Sequence, residues 1–188
     1  MDGGVEEAVL VSGVYGSGKS SVAQEIADLL EEQNVPYALL DLDFLAWFDT
    51  GSEGGPTEYS MMLRNLSTLV GNYLAVGVQF FVLAYAIRGR AELDSLKAEL
   101  PMPLRVVGLT VPLREIERRL HSDSTTGRRD DLRGAASWIA ASLSTGFEDS
   151  TVPNDRPIRE VAVDTLDWLG WRGAWGQQNC ILERASGW

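Results

Sequence analysis

The apolar run AVLV, residues 8–11, stops abruptly at GVYGSGKS, residues 13–20, and no other junction constrains the fold as strongly. Residues Gly13 to Ser20 fit the spacing G-x-x-x-x-G-K-S, a phosphate-cradling loop. The glycines let backbone N–H groups turn inward around phosphates. Lys19 brings a point charge, and the Ser20 hydroxyl completes a magnesium shell. Such a loop needs a buried strand before it and a helix after it, whose positive end faces the same anion. Both are readable here, with Val9 to Ser12 as the strand and about Ser20 to Gln33 as the helix. Gly13, Tyr15, Gly16, Ser17, Gly18, Lys19, Ser20 and Ser21 are therefore the candidate binders of a nucleoside triphosphate, with Mg2+ beside it.

The rest of the chain alternates in the same way. YALLD is a second short strand, followed by a Gly-rich acidic loop through FLAWFDTGSEGGPTE. Tyr59, Met62, Leu63, Leu66, Leu69, Val70 and Tyr73 recur at helical steps. VQFFVLAYA is a third strand without alternation, as expected when helices cover both faces of a parallel sheet. AELDSLKAEL is a helix stopped by PMP, LRVVGL is a fourth strand, and Pro112 opens another helix. After the polar break HSDSTTGRRDD come a helix, LRGAASWIAASL, a fifth short strand, DSTV, and a closing helix, PIREVAVDTLDWLGW. The pattern predicts an α/β fold of the P-loop NTPase type, a mostly parallel five-stranded sheet with helices on both faces. At 188 residues the chain predicts one domain, with no assignment for the tail 171–188.

Composition narrows the partners. A formal net charge of −11 disfavours nucleic acid, whose backbone is bound by Lys and Arg. One cysteine and one histidine exclude an intrachain disulfide and a Cys/His zinc site, so any metal is held by oxygen. The acidic start and the short apolar runs predict a cytoplasmic protein without a membrane partner. Basic residues nonetheless cluster in REIERRLHSDSTTGRRDDLR, a local anion site on an acidic chain.

Acids needed for phosphate chemistry appear at the end of the second strand, in LLDLDF. If Asp41 and Asp43 both continue the extended chain, they face the same side of the sheet edge, where open α/β sheets bind ligands. One carboxylate suits a magnesium-bound water and the other the proton of an acceptor hydroxyl.

With its phosphate loop, its DLD after strand two, its R-R-L…G-R-R segment and its closing helix, the chain resembles the small P-loop kinases over residues 8–170. These include shikimate, gluconate and adenylylsulfate kinases, chloramphenicol phosphotransferase and the nucleoside monophosphate kinases. The resemblance implies that Asp43 is the general base or hydroxyl anchor and Asp41 the magnesium-side acid. It implies a short lid at about 119–131 that brings Arg119, and Arg128 or Arg129, to the transferring phosphoryl group. It places Arg88 on the acceptor, and PNDRP, with Asn154 and Arg156, against adenine, favouring ATP over GTP. The acceptor region becomes about 44–75, walled by Trp47 and Phe48 with Tyr59 nearby, and Trp168, Trp171 and Trp175 are expected to seal the terminus or a subunit contact, as in a homodimer.

The function so implied is transfer of the γ-phosphate of ATP to a hydroxyl of a small metabolite, natural product or antibiotic. A nucleoside monophosphate kinase is the rival within this class, weakened because residues 44–60 hold no arginine but kept open by Arg64 and Arg88. A regulatory module that binds nucleotide without turnover is the rival outside it.

Overall fold

The computed structural model describes residues 6–48, 57–122 and 146–172. Five strands, β1 (Glu7–Ser12), β2 (Tyr37–Asp41), β3 (Phe80–Ala84), β4 (Leu104–Thr110) and β5 (Ser150–Pro153), form one sheet in the order β2-β3-β1-β4-β5. Every pairing is parallel. The expectation of a mostly parallel sheet is met in full.

Both sides of the sheet are buried, and alternate residues of each strand divide between two cores. Ala8 and Leu10 of β1, with Phe81 and Leu83 of β3, meet α2 (Glu58–Ala75) and α3 (Arg90–Ala98). Val9 and Val11, with Val82 and Ala84, meet α1 (Lys19–Glu32) and α5 (Ile158–Leu169). This two-sided burial is why the strands read as unbroken apolar runs. One more helix, α4 (Leu113–Ser122), follows β4 where Pro112 predicts its start. The predicted helix LRGAASWIAASL lies outside the described residues.

The chain leaves β1 toward β2 and then returns across β3, β1 and β4. The connections reverse direction beside β1, and open α/β sheets bind ligands at such a point, at the carboxyl ends of the strands. The phosphate loop, the Asp pair, Arg88 and Asn154 all follow the carboxyl ends of strands, so the topology gathers them along one edge of the sheet.

Candidate active site

The loop between β1 and α1 folds because particular positions carry no side chain. Gly13 has φ +148°, and a Cβ there would lie 2.8 Å from Ser17 Oγ and 3.1 Å from the Leu109 carbonyl. Gly18 caps α1 at φ +92°, and a Cβ would press to 2.6 Å from Asn154 Nδ2. No side chain caps α1 and no acid lies in its first turn, which leaves its leading N–H groups for an anion. Lys19 is 8% exposed and bends back over the loop, with Nζ donating to the Val14 carbonyl at 3.3 Å and lying 5.1 Å from the Tyr15 ring centre.

The loop is braced from behind. Asn154, buried after β5, donates from Nδ2 to the Ser17 carbonyl at 2.7 Å. Arg119 of α4 donates from Nη1 to the same carbonyl at 3.4 Å and from Nη2 to the Asn154 carbonyl at 2.9 Å. Glu115 steers Arg119 through a 2.8 Å hydrogen bond from Nε, and its carboxyl is pulled down to about 2 by Arg118 and then Arg119. Arg119, which the resemblance assigns to the transferring phosphoryl group, here braces the phosphate loop from the side of the Ser17 carbonyl. Two buried polar atoms, Ser17 Oγ and Asn154 Oδ1, have no partner among the described residues. Arg156, just before α5, pairs with Asp164 in the middle of that helix, and Arg128 lies outside the described residues.

At the front, Ser20 Oγ donates to Asp41 Oδ2 at 2.6 Å. Asp43 does not continue the strand, so the condition under which both acids would face the same side of the sheet edge is not met. The chain turns into a single 3-10 turn, Leu42–Leu45, with Asp41 as its cap: Asp41 Oδ1 accepts the Asp43 N–H at 3.2 Å. The local reason is that Asp readily accepts a backbone N–H two residues on, which competes with extended chain. The Asp43 carboxyl is raised above the ordinary range by burial and then by the charge of Asp41, with Lys19 and Arg88 pulling the other way. Asp41, Asp43, Lys19, Ser20 and Arg88 therefore share one field.

The residues expected to face an acceptor differ in exposure. Trp47 is 82% exposed, stacked on Phe44 at 6.2 Å between ring centres, while Phe48 is half-buried. Arg64 lies exposed on α2, and Ser21 is exposed at the start of α1. Phe44 and Tyr85 are not singled out by the sequence. Tyr85 reads there as the tail of the third strand, and only the register, which pairs Ala84 with Asp41, reveals that it stands beside the Asp pair.

Oxygen donors from Ser20 and Asp41, an uncapped helix start and a buried lysine suit a magnesium-bound triphosphate. Among the described residues no cluster of three His, Cys, Asp or Glu side chains is present, so such an ion would keep most of its ligands as water or phosphate.

No family model and no curated protein matches this chain. Solved structures do. A sugar kinase from Janibacter sp. HTCC2649 aligns over 89% of this chain and 95% of its own, with TM-score 0.64 and 20% identity. The tunicamycin resistance protein of Deinococcus radiodurans aligns over 88% and 96%, with TM-score 0.66 and 14% identity. The APS kinase of Mycobacterium tuberculosis, solved with AMPPNP and APS, aligns over 89% and 99%, with TM-score 0.56 and 23% identity. Near-complete coverage in both directions, together with the parallel sheet and the loop after β1, gives this chain the fold of the small P-loop kinases.

Proposed function

We propose that this protein is an ATP-dependent phosphotransferase that moves the γ-phosphate to a hydroxyl of a small molecule. The observation that carries this reading is the Ser20–Asp41 hydrogen bond with Asp43 one turn beyond it. One carboxylate is tied to the phosphate-loop serine and the other is left toward an acceptor. A site that only holds nucleotide has no need of the second acid.

The residues divide the work accordingly. The loop N–H groups from Gly13 to Ser20 and the start of α1 bind the phosphates, and Lys19 offsets charge on the β and γ groups. Ser20 and Asp41 would hold Mg2+, which when bound supplies further charge neutralisation to the transferring group. Asp43 orients the acceptor hydroxyl and takes its proton as the new O–P bond forms and the bond to the β-phosphate oxygen breaks, releasing ADP. Arg88, whose charge reaches Asp43, holds the acceptor nearby. Arg119 and Asn154 keep the loop in shape, and Asn154 with Arg156 would border the adenine. Phe44 and Trp47 offer an exposed aromatic wall beside Asp43 that suits a ring-bearing acceptor. Arg64 and Phe48 line the same acceptor region in this reading.

Lys19→Ala tests it directly. Turnover of Mg-ATP with an acceptor should fall by at least about a hundredfold, because charge directed at the transferring group is worth several kcal/mol in such sites. The fold should hold, as shown by an unchanged far-ultraviolet circular dichroism spectrum. Undiminished turnover in a folded variant would refute the reading. ATP binding without turnover across a broad acceptor panel favours the regulatory module.

A further inference from the structure

Tyr85 stands one residue beyond β3, whose last residue, Ala84, is in register with Asp41. Its N–H donates to the Val11 carbonyl at 3.2 Å, which extends the sheet by one residue. The next turn is pinned where the Ile87 N–H reaches the buried Ser12 Oγ at 3.4 Å. The backbone that carries Tyr85 is thus fixed on both sides.

Its side chain is divided between the core and the carboxyl edge of the sheet. The residue is 9% exposed and belongs to the core that contains Leu42 and Met62, and its ring stacks on Tyr59 at 6.5 Å between centres. Tyr59 spends its hydroxyl on the Glu92 carbonyl at 2.6 Å. No hydrogen bond joins the Tyr85 hydroxyl to any described residue, and that oxygen is not sealed from solvent. Its charged neighbours are Glu92, Arg88 and Asp43, with Tyr15 of the phosphate loop beside them. A tyrosine buried to this degree ordinarily finds a partner for its O–H. Here the open position lies among the groups that face the acceptor.

We propose that the Tyr85 hydroxyl donates a hydrogen bond to a second oxygen of the acceptor, beside the hydroxyl held by Asp43, and so selects polyols and hydroxy acids over isolated alcohols. This rests on the phosphotransferase reading above. Tyr85 follows Ala84, which is paired with Asp41 on the adjacent strand about 4.8 Å away, and Asp43 lies in the turn that Asp41 caps. A hydroxyl donor and a carboxylate that share one electrostatic neighbourhood in this way suit an acceptor that carries two oxygens close together. The hydroxyl is suited to donating and not to taking a proton: burial and then Glu92 push it up to about 12, so it stays protonated through the neutral range. Asp43 remains the proton acceptor.

Tyr85→Phe keeps the ring and its stack on Tyr59 and removes only the hydroxyl. The full-length wild type and variant are assayed with Mg-ATP against polyols and hydroxy acids, each paired with its monodeoxy analogue. Phosphorylated product is read by phosphorus NMR. The wild type should prefer the complete acceptor over its deoxy partner by about tenfold in kcat/KM, as a site built to bond an oxygen rejects the analogue lacking it. In Tyr85→Phe the acceptor KM should rise about 5- to 10-fold, the ATP KM should stay constant, and the preference should shrink toward unity. Unchanged acceptor KM and preference would overturn the role of Tyr85 and leave the phosphotransferase reading standing. A wild type that phosphorylates no acceptor defeats that reading, and this inference falls with it.

Discussion

Asp43 is subject to opposing fields, and their balance makes a testable pH dependence. Burial and the neighbouring Asp41 charge raise its pKa, and Lys19 and Arg88 oppose them without cancelling them. A carboxyl raised in the folded state binds its proton more readily there than in the unfolded chain. The native state is therefore favoured while Asp43 is protonated. That advantage is lost as pH rises from the unfolded value through the raised one. In the proposed reaction activity runs the other way, because only the carboxylate accepts a proton. On lowering the pH, kcat/KM for the acceptor should begin to fall above the ordinary aspartate range of about 3.9. Asp43→Asn should reduce turnover by about 10²–10⁴ and abolish that acid limb, while melting at pH 8 is unchanged or slightly higher. A variant that keeps full activity, or a wild-type profile flat through the acidic range, counts against Asp43 as the base.

At the scale of elements, the phosphate loop is held by residues far from it in the chain. Asn154 and Ser17 are 137 positions apart and meet at 2.7 Å. Removing that amide by Asn154→Ala deletes one bond to the loop carbonyl and also the unpartnered Oδ1, two changes of opposite sign for stability. The melting temperature of the free protein should thus move little, while the Kd for ATP rises roughly tenfold as the loop loses a brace. Isothermal titration calorimetry separates the two, and a large melting shift with unchanged affinity would show Asn154 to be structural only. These contacts also mark where the sequence stops being readable. The β1 strand, the Gly13–Ser20 loop and the helix from Lys19 are plain in the residues because local geometry dictates them, and the buried parallel strands announce themselves as apolar runs. The turn at Asp43 is not legible in the spacing, because it depends on whether the Asp43 N–H bonds to the Asp41 side chain. Tyr85 and the brace of Arg119 on Ser17 leave no mark in the spacing, because register and long-range packing bring them to the edge of the sheet.

Across the whole molecule, the end of the sheet away from the phosphate loop is closed by a different device, and it should affect stability alone. Trp171, just past α5, is 3% exposed and packs edge-on against Phe80 at the start of β3, with 4.8 Å between ring centres. Its indole N–H donates to Glu7 Oε2 at 2.7 Å, at the start of β1. Arg105, near the start of β4, pairs with Glu7, donates to the Leu169 carbonyl at 2.7 Å and lies over the Trp168 and Trp171 rings. One cluster thus ties the first strand, two inner strands and the closing helix at the amino ends of the strands. The ion pair is about one-third exposed on each side and contributes little by itself. The packed indole carries most of the effect. Trp171→Ala should cost about 3–5 kcal/mol in urea unfolding, as for other buried aromatics. Trp171→Phe retains the packing on Phe80 and loses the bond to Glu7, so it should cost about 1–3 kcal/mol. Because the phosphate loop and the Asp pair lie at the opposite ends of the strands, both variants should keep wild-type ATP and acceptor KM values per folded molecule. A shifted ATP KM in Trp171→Phe at an unchanged urea midpoint would mean that the two ends of the sheet are coupled, and that the cluster does more than hold the fold.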